Sequence, residues 1–201
     1  QLSPGGDASI PGVTRDAASG MYAPANAGEW TLLMAAAGLS TGNPSTTYLM
    51  QEASGNLADS IGTFTLTASG TGLLYAQSIA GWTRTAVGTT SGSTGLFQNT
   101  AVGLPNILTN SMAILVYAQP TTIAATRDIA GMGTSATKVM AQTLATTGFV
   151  RAMSVGNSTN GTVNVGGAVH PFLIVCNRTN SSAAVYTDVE KLIPTFGGTS
   201  A

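Results

Sequence analysis

Two stretches limit what this chain can fold into. Met112–Ala118 and Pro171–Cys176 are apolar at every other position and also at the positions between. A strand sends successive side chains to opposite faces, so such a run is satisfied only when both faces are covered. Both runs are far too short to cross a membrane as helices. They are expected as central strands. Around them the chain alternates with a period of two. Tyr48, Met50 and Glu52 alternate with Leu49 and Gln51. Phe64 and Leu66 share a face in Thr63–Thr67, and Leu73–Gln77 follows. Trp82, Arg84 and Ala86 alternate with Thr83 and Thr85. Thr121–Ile129, Thr137–Leu144 and Phe149–Val155 are amphipathic, and Ala183–Thr187 reads as a late strand. Asn160-Gly161 predicts a two-residue hairpin, because both residue types tolerate positive φ. Many short strands punctuated by Gly, Asn and Ser predict an all-β fold, an antiparallel β-sandwich or jelly roll, over residues 43–201.

The N-terminal part reads differently. Residues 1–25 carry Gly5-Gly6, Pro4, Pro11 and Pro24 and no hydrophobic period, which predicts an extended arm. Ordering such an arm costs roughly 1 to 2 kcal/mol per residue for the backbone alone. It is expected to be disordered alone and ordered only against a neighbour or the sandwich edge. Leu2, Ile10, Val13, Met21 and Tyr22 are its candidate anchors. Residues 26–39 carry the helix signal. Asn26 and Glu29 have capping-box spacing, Trp30, Leu33, Met34 and Ala37 form one apolar stripe, and Gly38 suits the C′ position. The helix is expected to pack on the sandwich.

Charge is scarce. Of 201 residues, 7 are Lys or Arg and 8 are Asp or Glu, giving a net charge of −1. This excludes the basic field that a nucleic-acid backbone requires and the polybasic patch of a membrane-surface binder. Thr, Ser and Gly supply over a third of the chain and must cover the surface instead. A nearly neutral surface favours association. The composition therefore suits a protein displayed on, or packed into, a large assembly outside the cell, with copies of itself or other proteins as partners. The chain begins with Gln1, as expected of a processed product or fragment, and no apolar run reaches membrane-spanning length. The single cysteine, Cys176, excludes an internal disulfide and reads as a small buried hydrophobe.

Each catalytic motif fails on context. Gly38-Leu39-Ser40-Thr41-Gly42 matches a nucleophile elbow, but that device needs a strand before it and a helix after it, and here the order is reversed. Gly131-Met132-Gly133-Thr134-Ser135-Ala136 loosely matches a dinucleotide fingerprint, with no carboxylate near residues 155–157 to meet a ribose. It predicts a hairpin turn. Asp188 and Glu190 are the one i, i+2 carboxylate pair, placed at a strand end beside Lys191, while the spacing of Glu52 and Asp59 puts them on different faces. His170 is the lone histidine, which excludes histidine-clustered metal sites, and no cofactor is expected. Asn157, Asn160, Asn177 and Asn180 each open an N-x-Ser/Thr sequon. Trp82 and Arg84 share a face by spacing and could stack on a sugar ring.

Two segments resemble the concanavalin A-like, laminin G-like jelly rolls. Gln51-Glu52-Ala53-Ser54-Gly55-Asn56-Leu57-Ala58-Asp59-Ser60 is similar to the family's opening strand and Gly-Asn-x-x-Asp-Ser turn. Phe172-Leu173-Ile174-Val175-Cys176-Asn177-Arg178-Thr179-Asn180, followed by Ala184-Val185-Tyr186-Thr187-Asp188, is similar to its late hairpin and Tyr-x-Asp strand end. Val189 stands where the family usually has Gly, and the family's closing strand has no counterpart after this hairpin. The resemblance implies glycan or protein binding, and implies glycosidase activity in some members, whose catalytic residues find no match. The function expected is a non-catalytic structural or recognition module of an extracellular or virion surface. A lectin-like carbohydrate-binding module is the alternative, and a glycoside hydrolase of the same fold the second alternative.

Overall fold

The computed structural model describes residues 14–15, 22–23, 48, 50–59, 64–79, 85–90, 92–99, 110–121, 125–133, 138–178, 181–187 and 189–196. The helix expected over 26–39 lies outside these residues. So do Leu2, Ile10, Val13, Met21, Trp82, Arg84 and Asp188. Tyr22 falls in a described strand. Among the described residues the protein is all-β, with antiparallel pairing wherever a register is defined.

β1 (Thr14–Arg15) pairs with β2 (Tyr22–Ala23). The remaining strands fall into two compact units, one within residues 43–104 and one within residues 105–201. The first holds β3 (Thr67–Ser69), β4 (Leu73–Ser78), β5 (Thr85–Thr89) and β6 (Leu96–Gln98), paired as β3 with β6 and β4 with β5. The expected Tyr48–Glu52 strand reduces to an isolated bridge between Tyr48 and Asp59. Met50 sits at φ 56, a left-handed conformation that interrupts an extended run. Tyr48 still anchors locally, its hydroxyl donating to the Phe64 carbonyl at 2.5 Å.

The second unit is a sandwich of two four-stranded sheets. It is built from β7 (Met112–Ala118), β8 (Arg127–Met132), β9 (Val139–Thr143), β10 (Phe149–Ser154), β11 (Asn157–Asn164), β12 (His170–Asn177), β13 (Ser182–Tyr186) and β14 (Lys191–Leu192). One sheet has the order β14-β13-β12-β7 and the other β11-β10-β9-β8. Between them lies one core. Phe172, Ile174 and Cys176 of β12, with Ala183, Val185 and Leu192, meet Val139, Ala141, Val150, Ala152, Met132 and Val165. Burying each of the larger side chains contributes about 1.5 to 3 kcal/mol.

The two doubly apolar runs are both strands, with different surroundings. β12 is buried on both faces: Phe172 and Ile174 enter the core, while Leu173 and Val175 on the other face are 1% and 3% exposed. β7 occupies the predicted residues, but among the described strands it is an edge, paired only with β12 and half-buried along its length. An apolar pattern on both faces reports cover above and below a strand. It carries no information about the neighbour in the plane of the sheet.

One turn prediction and one strand prediction need correction. The β10–β11 turn is Val155-Gly156, at φ 45 and 88, as a hairpin turn with two positive-φ residues requires. Asn160-Gly161 lies inside β11 instead, where Asn160 faces Arg151 in the register. Gly161 is there for a different reason. A Cβ at that position would collide with the Glu190 carboxylate, which lies across the strand. The strand expected over Thr121–Ile129 begins later, as Arg127–Met132, with an irregularity between Asp128 and Ala130. Gly131 and Met132 thus belong to β8, and the connection to β9 opens at Gly133, with φ 95.

Candidate functional site

The outward face of the β8–β11 sheet carries a row of polar side chains. Along β9 and β10 the strand alternation sends Val139, Ala141, Thr143, Val150, Ala152 and Ser154 inward, where all six are buried. The residues between them point the other way. The registers place Asp128 of β8 opposite Gln142 of β9, Gln142 opposite Arg151 of β10, and Arg151 opposite Asn160 of β11. Four polar residues therefore line up across four strands, over about 14 Å at the usual inter-strand spacing. Asp128 and Asn160, at the two ends, are exposed, while Gln142 and Arg151 are half-buried. Half-buried Phe149 and Met153 flank Arg151 on the same face of β10.

The row is bonded in pairs. Gln142 Nε2 donates to Asp128 Oδ1 at 2.6 Å, and Arg151 Nε donates to Asn160 Oδ1 at 2.9 Å. Between the pairs, Gln142 and Arg151 are neighbours in register, yet the Gln142 Oε1 is shielded from solvent and takes no hydrogen bond. The guanidinium has five donors, and Nε uses one. One acid and one base make the row formally neutral. Chemically, it offers acceptors on the β8–β9 side and donors on the β10–β11 side.

The other carboxylates hold the scaffold. Glu52 Oε1 accepts from the Ala58 N–H at 2.9 Å, and Asp59 Oδ2 from the Phe64 N–H at 3.4 Å. Glu52 thus bonds the residue beside Asp59, while Asp59 bonds a backbone N–H five positions further on. Glu190 Oε2 accepts from the Thr162 N–H on the edge strand β11 at 3.0 Å. Its backbone closes the β13–β14 turn with Thr187, whose N–H and hydroxyl both donate to the Glu190 carbonyl, at 2.9 and 3.0 Å. The carboxylate satisfies an edge donor that the ladder leaves over. His170 opens β12 opposite Ala118. The Cys176 thiol is buried in the core, and burial raises its pKa against the lowering effect of Arg178. It is a packing residue, as its apolar setting implied. Asn157 and Asn160 are exposed on β11, whereas Asn177 is buried, so that sequon is closed to modification in the folded chain. Among the described residues, no group of three or more His, Cys, Asp or Glu could hold a metal ion.

Sequence reasoning did not find the polar row. Its members lie 14, 9 and 9 positions apart, and only the strand registers bring them together. The available signal was a single polar residue at an outward position in each apolar strand: Gln142 in Val139–Thr143 and Arg151 in Phe149–Ser154. Placing the turn at Asn160-Gly161 removes Asn160 from the row, so the misplaced turn hid it.

Compared with protein-family models, curated proteins and solved structures, the chain matches none.

Proposed function

We propose that the protein is a non-catalytic structural and recognition module of an extracellular or virion surface, acting by packing against copies of itself or other proteins of an assembly. One contrast carries this reading. Three of the four described carboxylates accept hydrogen bonds from backbone N–H groups and Asp128 accepts from Gln142 within the polar row, whereas Arg151 carries side-chain donors beyond the Nε–H bonded to Asn160 on an outward sheet face. A glycoside hydrolase needs two carboxylates flanking the scissile bond, and three of these four are engaged with backbone N–H groups. The near-neutral surface expected from the composition supports association over free diffusion. We further propose that the sandwich is of the concanavalin A-like jelly-roll type. The order β14-β13-β12-β7 supports it, because three strands joined in sequence are flanked by one that arrives across the other sheet, a Greek-key-like return.

Sedimentation of the full chain, combined with turnover assays on laminarin-type glucans, sialosides and esters, tests the proposal. Concentration-dependent assembly without turnover is the expected result. A soluble monomer at all concentrations would sink the packing role. Turnover lost in Glu190→Gln or His170→Ala would make the protein an enzyme.

A further inference from the structure

We infer that β7 pairs with β7 of a second copy, antiparallel about a two-fold axis at Ile114, so that the β14-β13-β12-β7 sheets of two chains become one. The inference rests on the packing reading and names the strand that does the packing. Its first ground is a comparison of sheet edges, of which the described strands of the sandwich have four. β14 is two residues long and runs into Ile193-Pro194, where the proline has no N–H to donate. β11 is capped, because the Glu190 carboxylate takes the Thr162 N–H. β8 carries Arg127 and Asp128, and an irregularity between Asp128 and Ala130 breaks its line. Shortness, proline, covering groups, charge and bulges are the devices that keep strands from pairing edge to edge. β7 has none of them. Its seven residues are uncharged, include no proline and keep an unbroken register with β12.

The second ground is where the backbone points. The Thr187 N–H bonds the Glu190 carbonyl across the β13–β14 turn. Backbone groups alternate sides along a strand, so Tyr186 and Ala184 turn theirs to β12. Phe172, Ile174 and Cys176 then turn theirs to β7, where Met112, Ile114 and Val116 answer them. Pro171, with no N–H, falls where the ladder to β7 needs none. Ala113 and Leu115 are left facing outward, and among the described residues no bond from outside the ladder reaches either backbone. The third ground is self-complementarity, which favours a second copy over a foreign strand. With the axis at Ile114, Ala113 of each chain stands opposite Leu115 of the other, and each such pair exchanges both N–H···O=C bonds. On the outer face a small side chain meets a large one. On the core face Ile114 meets Ile114 and Met112 meets Val116, and all three already pack against the core. The apolar cores of the two copies then continue across the axis. No like charges meet, because β7 carries no charge.

Sedimentation of the full chain follows assembly with concentration, and thermal melts establish that each variant folds. Ala113→Lys, which puts a charge on the edge, should weaken association about tenfold or more, and Ser158→Lys on β11 should leave it unchanged. A second readout fixes the register. A non-hydrogen-bonded antiparallel pair brings its Cα atoms to about 4.5 Å, within reach of a disulfide. In a Cys176→Val background treated with a thiol oxidant, Ile114→Cys should give a disulfide-linked dimer, and Val116→Cys, which faces Met112, should not. Hydrogen exchange at the Ala113 and Leu115 amides should slow as the dimer forms. Amides already protected in the dilute monomer would mean that another segment of the same chain covers the edge. Equal crosslinking of the two cysteine variants would mean a different register. Either result overturns the inference. Assembly that ignores Ala113→Lys also overturns it and leaves the packing reading standing, whereas a monomer at all concentrations refutes both.

Discussion

The units within residues 43–104 and 105–201 are both antiparallel β, yet they are held together in different ways. Within 105–201, both sheets contribute to one apolar core, and Phe172, Ile174, Val150 and Ala152 are fully buried. Within 43–104, Leu57 is the single buried hydrophobic side chain among the described residues. There the contacts are mainly polar and local. Tyr75 donates its hydroxyl to the Gly55 carbonyl at 2.7 Å and meets Phe97 edge-to-face, with ring centroids 5.9 Å apart. Asn56 Oδ1 accepts from the Ala68 N–H at 3.0 Å, and the Thr71 and Thr94 hydroxyls lie 3.3 Å apart. Hydrogen bonds exchanged with water net about 1 kcal/mol each, whereas a core removes apolar area from water and must be breached as a whole. The difference teaches that strand content alone does not measure stability. Two regions with similar alternation can be a cooperative core or a set of local clasps.

The largest expected effect tests that contrast directly. Phe172→Ala removes a fully buried ring from the sandwich and should cost about 3 to 5 kcal/mol, seen as a large fall in the melting temperature. Leu57→Ala should instead release amide exchange protection within residues 50–78, while protection of β9, β10 and β12 stays as it was. If Leu57→Ala lowers protection of those sandwich strands equally, the two regions share one cooperative unit and the comparison fails.

A smaller effect probes the sandwich edge. Gly161→Ala places a Cβ against the Glu190 carboxylate, the far end of a flexible side chain that can swing aside, so it should destabilise by about 1 kcal/mol, the hydrogen bond that the carboxylate makes to the Thr162 N–H. Combining it with Glu190→Ala should recover part of that loss, because the second change empties the space. Urea titration of the single and double variants measures the coupling. Strict additivity would show that the carboxylate is not what excludes a side chain there.

The smallest effect is a pH dependence. The folded chain holds the Cys176 thiol at a raised pKa through burial, so unfolding makes it easier to deprotonate. Its contribution is therefore present below the unfolded thiol value of about 8.5 and is lost as pH rises above it. Urea midpoints should fall between neutral and alkaline pH, and Cys176→Val should flatten that slope. An unchanged slope in the variant would assign the dependence to other groups.

What the sequence determined by itself was the local pattern. The period-two alternation located β4, β9, β10 and β13, and the doubly apolar runs located β7 and β12, to within about two residues, because a strand's faces are written in consecutive side chains. The buried character of Cys176 was legible for the same reason. The tertiary structure decided everything that depends on lateral neighbours. Among the described strands it put β7 at a sheet edge, moved the turn to Val155-Gly156, and gave Gly161 its place beneath Glu190. It alone assembled Asp128, Gln142, Arg151 and Asn160 into a row, since register is fixed by turns and bulges and a shift of one residue sends each side chain to the opposite face.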